Sequence, residues 1–289
     1  LVAGLSGLWI MSREARADLV SNSLRLIHWL PLLYGVVALS YGGRYWRWRL
    51  LLWQLGIGST SWPDLLGWFR GFALTATPAK LGELSRVQQL HEQLGYPRLP
   101  LVHVFVAERC ADALAVALLL MVFTPAQVLS RLPALSTPWL LGIAFLTGIP
   151  MVLATKPMPR RWLARRWQHW RHHLPSGDLA RAMLPAALVS VLFWANEALV
   201  LWLLVHILAP VSVSIPVAIA TYLVSGTAGM VSQLPGGIGV NEAATVLLLG
   251  QQGVPAEVAL PVAILRRLIT IWSVVCVALI VSLFAKLRS

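Results

Sequence analysis

Apolar residues come in long blocks along this chain, and polar residues collect in short stretches between them. Residues 1–11 read as the end of a first apolar helix, and 12–28, with charges of both signs, as a surface stretch. A second span is predicted from about Trp29 to Gly43. It ends in "RYWRWR", which puts Trp46 and Trp48 at the membrane interface and Arg44, Arg47 and Arg49 in the cytoplasm. The next stretch is apolar to about Ala76, breaks at Pro78, and continues as a polar amphipathic helix to about Leu94. Further spans are predicted at 100–123, 137–155, 180–208 and 259–285. Before the last of them, 213–232 enters, breaks at Pro235 and resumes from Val240 to Gly250.

Blocks of this length suit helices that cross about 30 Å of hydrocarbon. Composition agrees: 58% of the 289 residues are hydrophobic and 12% charged, against about a quarter charged in soluble domains. In lipid only helices or closed barrels satisfy their own backbone groups, and the alternating ten-residue segments of a barrel are absent. The fold class is therefore an all-α polytopic membrane protein forming a single transmembrane domain. It is expected to hold about six full spans plus two re-entrant broken-helix hairpins.

The net charge of +12 lies mostly in loops and at segment ends, a cytoplasmic-loop signature and not a nucleic-acid footprint. Residues 156–178 include "KPMPRRWLARRWQHWRHH", with six Lys/Arg and no acid. They read as a basic cytoplasmic loop lying on anionic lipid. Lys286 and Arg288 place the C-terminus on the same side. Cys110 and Cys276 fall in apolar runs without metal-type spacing and read as buried free thiols. The chain opens on Leu1 with a short apolar run, as if part of that helix preceded it, and no small-residue cleavage site marks a signal peptide.

The two breaks share a spacing. Pro78 and Gly82 correspond to Pro235 and Gly239 at an offset of 157; Pro97 and Arg109 correspond to Pro255 and Arg267 at 158. One inserted residue reconciles the offsets, and an internal duplication follows, with units at about 62–123 and 215–281. If each broken segment is a re-entrant hairpin, three crossings separate equivalent points and the repeat is inverted. Positive charge favours this, because it keeps Arg44, Arg47, Arg49, Arg86, Arg98 and the basic loop on one side. Inverted repeats with broken helices near mid-membrane are a recurring transporter plan.

Ionisable groups within the membrane are costly and default to function. The candidates are Lys80, Glu83, Glu108, Arg109, Asp112, Glu197, Glu242, Arg266 and Arg267, with Arg86 at the cytoplasmic rim. Glu108 and Asp112 share a helical face beside Arg109. Five cations against five anions imply mutual pairing, and helix-to-helix pairing alone is the simpler reading for Asp112 and Glu197. Arg266 or Arg267 could instead snorkel to the outer headgroups. In "PGGIGVNEA", Gly236, Gly237 and Gly239 free backbone N–H groups, and Asn241 and Glu242 open a half-helix whose positive end suits a phosphate or carboxylate. Its third glycine position is Glu242, so it is no dinucleotide fingerprint. His28, His91, His103 and His206 show no metal or catalytic spacing, and no metal, cofactor or enzyme constellation is expected.

At "TPAKLGELSR", "ERCAD" and "PGGIGVNEA" with an arginine in the last helix, the chain resembles the lysylphosphatidylglycerol-synthase transmembrane family, the flippase-like part of the multiple peptide resistance factor. The resemblance runs from about residue 30 to the C-terminus. It implies a bacterial or archaeal inner-membrane protein handling a charged lipid, either aminoacylated phosphatidylglycerol or a polyprenyl-phosphate-linked sugar. Matching positions are Lys80, Glu83, Arg86, Glu108, Arg109, Asp112, Pro235, Gly236, Gly237, Gly239, Glu242 and Arg267. The soluble aminoacyl-transferase domain of the synthase has no counterpart within these residues. The expected function is thus a lipid translocase with anionic membrane lipids as partners. The alternatives are a non-transporting lipid-binding partner of a glycosyltransferase and an intramembrane enzyme acting on lipid phosphates.

Overall fold

The computed structural model describes residues 13–58, 62–75, 83–123, 178–232 and 234–287. Every regular element among them is helical. In chain order they are α1 (Arg13–Gln54), α2 (Trp62–Arg70) with a 3-10 turn at Gly71–Leu74, α3 (Ser85–Leu94), α4 (Arg98–Phe123) and α5 (Asp178–Leu208). Then follow α6 (Ile215–Val231), a 3-10 turn at Pro235–Gly237, α7 (Val240–Gly250), α8 (Ala256–Arg267), a π turn at Leu268–Trp272 and α9 (Ser273–Leu287). Among the described residues three stretches are long and apolar enough to cross a membrane: Leu26–Gln54, Arg181–Leu208 and Ala256–Phe284. Helix α4 has the length, about 39 Å at 1.5 Å per residue, but Glu108, Arg109 and Asp112 interrupt its apolar surface. The breaks at Pro78 and Gly82, together with Lys80, residues 1–11, the 137–155 span and nearly all of the basic loop, lie outside the described residues.

Helix α1 differs most from its sequence pattern. It runs unbroken through Pro31 and through the whole of "RYWRWR" to Gln54. Arg44, Arg47 and Arg49 are buried inside the helical body, and so is Trp48; Trp46 alone of the two tryptophans faces outward. The cluster is therefore enclosed by other helices and not exposed at a membrane surface. The residues that make this possible are acids on other helices, which a local hydropathy pattern does not register.

Helices α1 and α5 lie side by side, joined by polar contacts as well as apolar ones. Asn196 Nδ2 donates to the Val36 carbonyl and to Ser40 Oγ, both at 2.7 Å. Such bonds suit helices in lipid, where burial of apolar surface does not favour protein contacts over lipid contacts. Helix α3 folds back on α2: a Cβ placed on Gly67 would come within 2.6 Å of Leu90 Cδ2, so the two arms touch at a residue with no side chain. Trp68 and Phe72 pack edge to face at 4.8 Å. Tyr41 Oη donates to the Thr270 carbonyl at 3.2 Å and ties α1 to the π turn.

The second break is described directly. Helix α6 ends at Val231 and α7 returns from Val240 across the turn at Pro235–Gly237. Gly237 has φ of 66°, and a Cβ there would sit 2.7 Å from Gly229 Cα. Backbone meets backbone at that point, so glycine is needed for space and for conformation together. Both cysteines are free, but Cys276 faces outward on α9 and Cys110 is half-buried, against the expectation that both are enclosed. An apolar run does not distinguish a protein-facing side from a lipid-facing one.

Candidate functional site

The charges gather in two linked networks. The first lies where α1, α4 and α5 meet. Arg47 donates to Asp112 Oδ1 at 2.5 Å, to Glu108 Oε1 at 3.2 Å and to Ser190 Oγ at 2.6 Å. The other oxygen of Glu108 accepts from Arg86 of α3. Arg86, expected at a cytoplasmic rim, is thus enclosed, with its guanidinium 4.4 Å from the Trp48 ring centroid. Asp112 also accepts from Trp194 Nε1 at 3.1 Å and lies 3.2 Å from Arg109. Arg44 pairs with Glu197 at 2.8 Å and stacks 4.2 Å from the Phe193 ring centroid. Arg49 pairs with Asp64 at 2.9 Å, and Tyr45 Oη donates to the same carboxylate at 3.0 Å.

The i, i+3 spacing of Arg44 and Arg47 puts both on one face of α1, and that face meets the i, i+4 face of Glu108 and Asp112. An uncompensated charge in this setting would cost several kcal/mol, about 3–5 when one partner of a buried pair is removed. Pairing is therefore what lets five arginines sit in a helical bundle. Arg109 differs from the rest. Its side chain is 28% exposed, and its second acid, Glu83, stands 3.9 Å away. Glu83 also accepts from Thr75 Oγ1 at 2.9 Å.

The second network surrounds the described break. Arg267 donates to Glu242 Oε1 at 2.7 Å, to the Gly236 carbonyl at 2.5 Å and to the Gly237 carbonyl at 3.3 Å. The Gly239 N–H donates to the other Glu242 oxygen at 2.7 Å. The half-helix N-terminus, read from sequence as suited to a phosphate or carboxylate, is occupied at this N–H by the chain's own carboxylate. Arg266 donates to Asn241 Oδ1 and, at 3.3 Å, to Ser225 Oγ. Both arginines are buried, so neither snorkels. The π turn follows directly after them, and such bulges often sit at functional sites.

Tyr222 of α6 joins the networks. Its ring lies 5.1 Å from the Arg266 guanidinium, and its hydroxyl donates to Glu197 at 2.5 Å. Each of two acid–arginine pairs spans a similar length of chain, although the two acids stand 159 residues apart and fall outside the 157–158 register of the repeat. Glu83 faces Arg109 across 26 residues (109 − 83), and Glu242 faces Arg267 across 25 (267 − 242).

Of the sequence candidates, Glu83, Arg86, Glu108, Arg109 and Asp112 come together in the first network, and Gly236, Gly237, Gly239, Asn241, Glu242, Arg266 and Arg267 in the second. Lys80, Pro78 and Gly82 lie outside the described residues. Sequence reasoning missed Arg44, Arg47, Arg49, Asp64 and Tyr222 as site members. A signal was available in the acids, which fall mostly within apolar segments and need partners. No group of His, Cys, Asp and Glu able to hold a metal is found among the described residues. His28 and His206 line a shallow pocket with Trp29 and Ile207, away from both networks.

The family model for the lysylphosphatidylglycerol synthase TM region matches residues 1–278. The chain belongs to that family. Among curated proteins none matches it. Membership makes this a membrane protein with a lipid-related function. The motifs that carried the resemblance contribute Glu83, Arg86, Glu108, Arg109, Asp112 and the residues from Gly236 to Glu242 to the two networks, while Arg44, Arg47, Arg49, Asp64, Glu197 and Tyr222 come from outside them.

Proposed function

We propose that this protein is a lipid translocase, moving a charged lipid headgroup through a polar interior while the acyl or prenyl chains stay in the bilayer. The observation that carries the reading is the partial opening of the networks beside two acid–arginine pairs. Arg109 is 28% exposed beside Glu83, and Glu242 is 18% exposed beside Arg267. A headgroup phosphate would contact Arg109, and Arg267 and Lys80 are the other cations proposed to hold it. Glu83, Asp112 and Glu242 would hold those cations or meet headgroup hydroxyls. The reading includes no chemical step.

The same reading takes the α2–α3 and α6–α7 pairs as hairpins entering from opposite sides of a bacterial or archaeal inner membrane, with the C-terminus cytoplasmic. The folding of α3 onto α2 and of α7 onto α6 supports it. The test is reconstitution in liposomes with labelled phosphatidylglycerol and polyprenyl-phosphate lipids. Wild type is expected to move at least one of them between leaflets faster than Arg109→Ala or Glu242→Gln. Equal rates for all three proteins would end the proposal.

A second reading is favoured by the satisfaction of Arg267, which is held by two carbonyls and Glu242. A site this closed suits a lipid-presenting partner of a glycosyltransferase or lipid-modifying enzyme. It predicts lipid binding without leaflet exchange in the same liposomes.

A further inference from the structure

The interior charges do not balance. Seven arginines belong to the networks: Arg44, Arg47, Arg49, Arg86, Arg109, Arg266 and Arg267. Their acids number six: Asp64, Glu83, Glu108, Asp112, Glu197 and Glu242. Six of the arginines pair with a carboxylate. Among the described residues Arg266 has no such partner. It is 2% exposed, and the groups it meets are neutral: the Asn241 amide oxygen, the Ser225 hydroxyl and the Tyr222 ring.

The sequence holds no further acid for it. Of eleven Asp and Glu residues, the remaining five are Glu14, Asp18, Glu92, Asp178 and Glu257. Glu92 and Glu257 are exposed; Glu14 and Asp18 are in the first turns of α1, and Asp178 opens α5. The segments outside the described residues contain cations but no acid. Half-buried Arg70, and Lys80 outside the described residues, add to the excess and do not offset it.

An arginine keeps its proton in proteins, and burying its charge without a counter-charge is strongly unfavourable. We infer that the missing counter-charge is the cargo: a phosphate ester of net negative charge, carrying no compensating amine. The inference rests on the proposed lipid site and specifies its substrate class. A phosphodiester headgroup supplies the one negative charge that the seven arginines and six acids of the networks lack. A lysylated headgroup, with net positive charge, would add to that excess. The anion need not touch Arg266, because in a medium of low dielectric one unit charge acts over many ångströms.

Asn241→Asp tests this without disturbing shape. It puts a carboxylate where Arg266 already donates, so the chain supplies its own counter-charge and the fold should be as stable as wild type or more so. The purified full chain, in zwitterionic detergent, is titrated with fluorescent phosphatidylglycerol, then competed with lysyl-phosphatidylglycerol, phosphatidylethanolamine and inorganic phosphate. Wild type is expected to bind phosphatidylglycerol about tenfold or more tightly than the lysyl ester, and Asn241→Asp to lose about tenfold or more of that affinity. Arg266→Gln is expected to lose the preference in the same way. Inorganic phosphate competing at equal concentration would assign the occupant as free phosphate; failure to compete would assign it as lipid. Either upholds the charge inference. Unchanged phosphatidylglycerol binding by a folded Asn241→Asp overturns it, as does equal binding of the lysyl ester by wild type. Charge preference without leaflet exchange would sink the translocase reading alone.

Discussion

Arg47 and Asp112 meet at 2.5 Å across 65 residues of sequence, deep in the bundle, on helices that both also carry other charges. The pair makes α1 and α4 mutually dependent. A solvent-exposed arginine pair would contribute about 0–1 kcal/mol. Arg47→Met is expected to cost about 3–5 kcal/mol, because it removes a buried cation shared by two carboxylates and leaves Glu108 with Arg86 alone and Asp112 with the more distant Arg109. Adding Asp112→Asn to it should cost less than the sum of the two single changes, with a coupling of about 1 kcal/mol or more. Unfolding by SDS in mixed micelles measures both. An Arg47→Met cost below about 1 kcal/mol would return Arg47 to the membrane rim.

Gly237 and Gly239 both hold positive φ, but only Gly237 lies against backbone. Gly239→Ala is therefore expected to cost about 1–3 kcal/mol, the strain of an L residue held at φ 85° and ψ −54°. Gly237→Ala must also push α6 away from the break, so it should destabilise more and loosen the hold of Arg267 on the Gly236 and Gly237 carbonyls. The same unfolding assay ranks the two, and equal costs would contradict the close approach of Gly229 and Gly237.

Tyr222→Phe removes one hydroxyl and keeps the ring over Arg266. Hydrogen bonds to charged groups contribute about 1.5–3 kcal/mol, and a loss of that size is expected. The Arg44–Glu197 pair should persist, so Arg44→Gln in the Tyr222→Phe background should still cost stability. No effect of Tyr222→Phe would mean that the two networks are not joined through Glu197.

Arg109 is held by Asp112 at 3.2 Å and by Glu83 only at 3.9 Å, so it is the cation best placed to change partners. Arg109→Ala is expected to slow lipid exchange at least about tenfold, the effect of roughly 1.4 kcal/mol. Arg109→Lys keeps the charge but loses the planar fork and should fall between Ala and wild type. If Lys and Ala behave alike, geometry and not charge governs the step.

Hydropathy and spacing determined the helical class, the break at Pro235, the acid and arginine that meet there, and the family through three short motifs. These are local properties: an apolar block must be a helix in lipid, and a proline with three glycines must interrupt one. The placement of "RYWRWR" was not local. Positive charge beside tryptophan reads as an interface until acids on other helices are counted against it. Asp64, Glu108, Asp112 and Glu197 lie 15 to 153 residues from their α1 partners, and only the packing of α1 against α2, α4 and α5 brings them together. The tertiary structure likewise decided that Gly239 already has its anion in Glu242 and that Arg266, among the described residues, has none. Desolvation makes that difference matter, since a charge that water would tolerate must find its counter-charge once the helices exclude water.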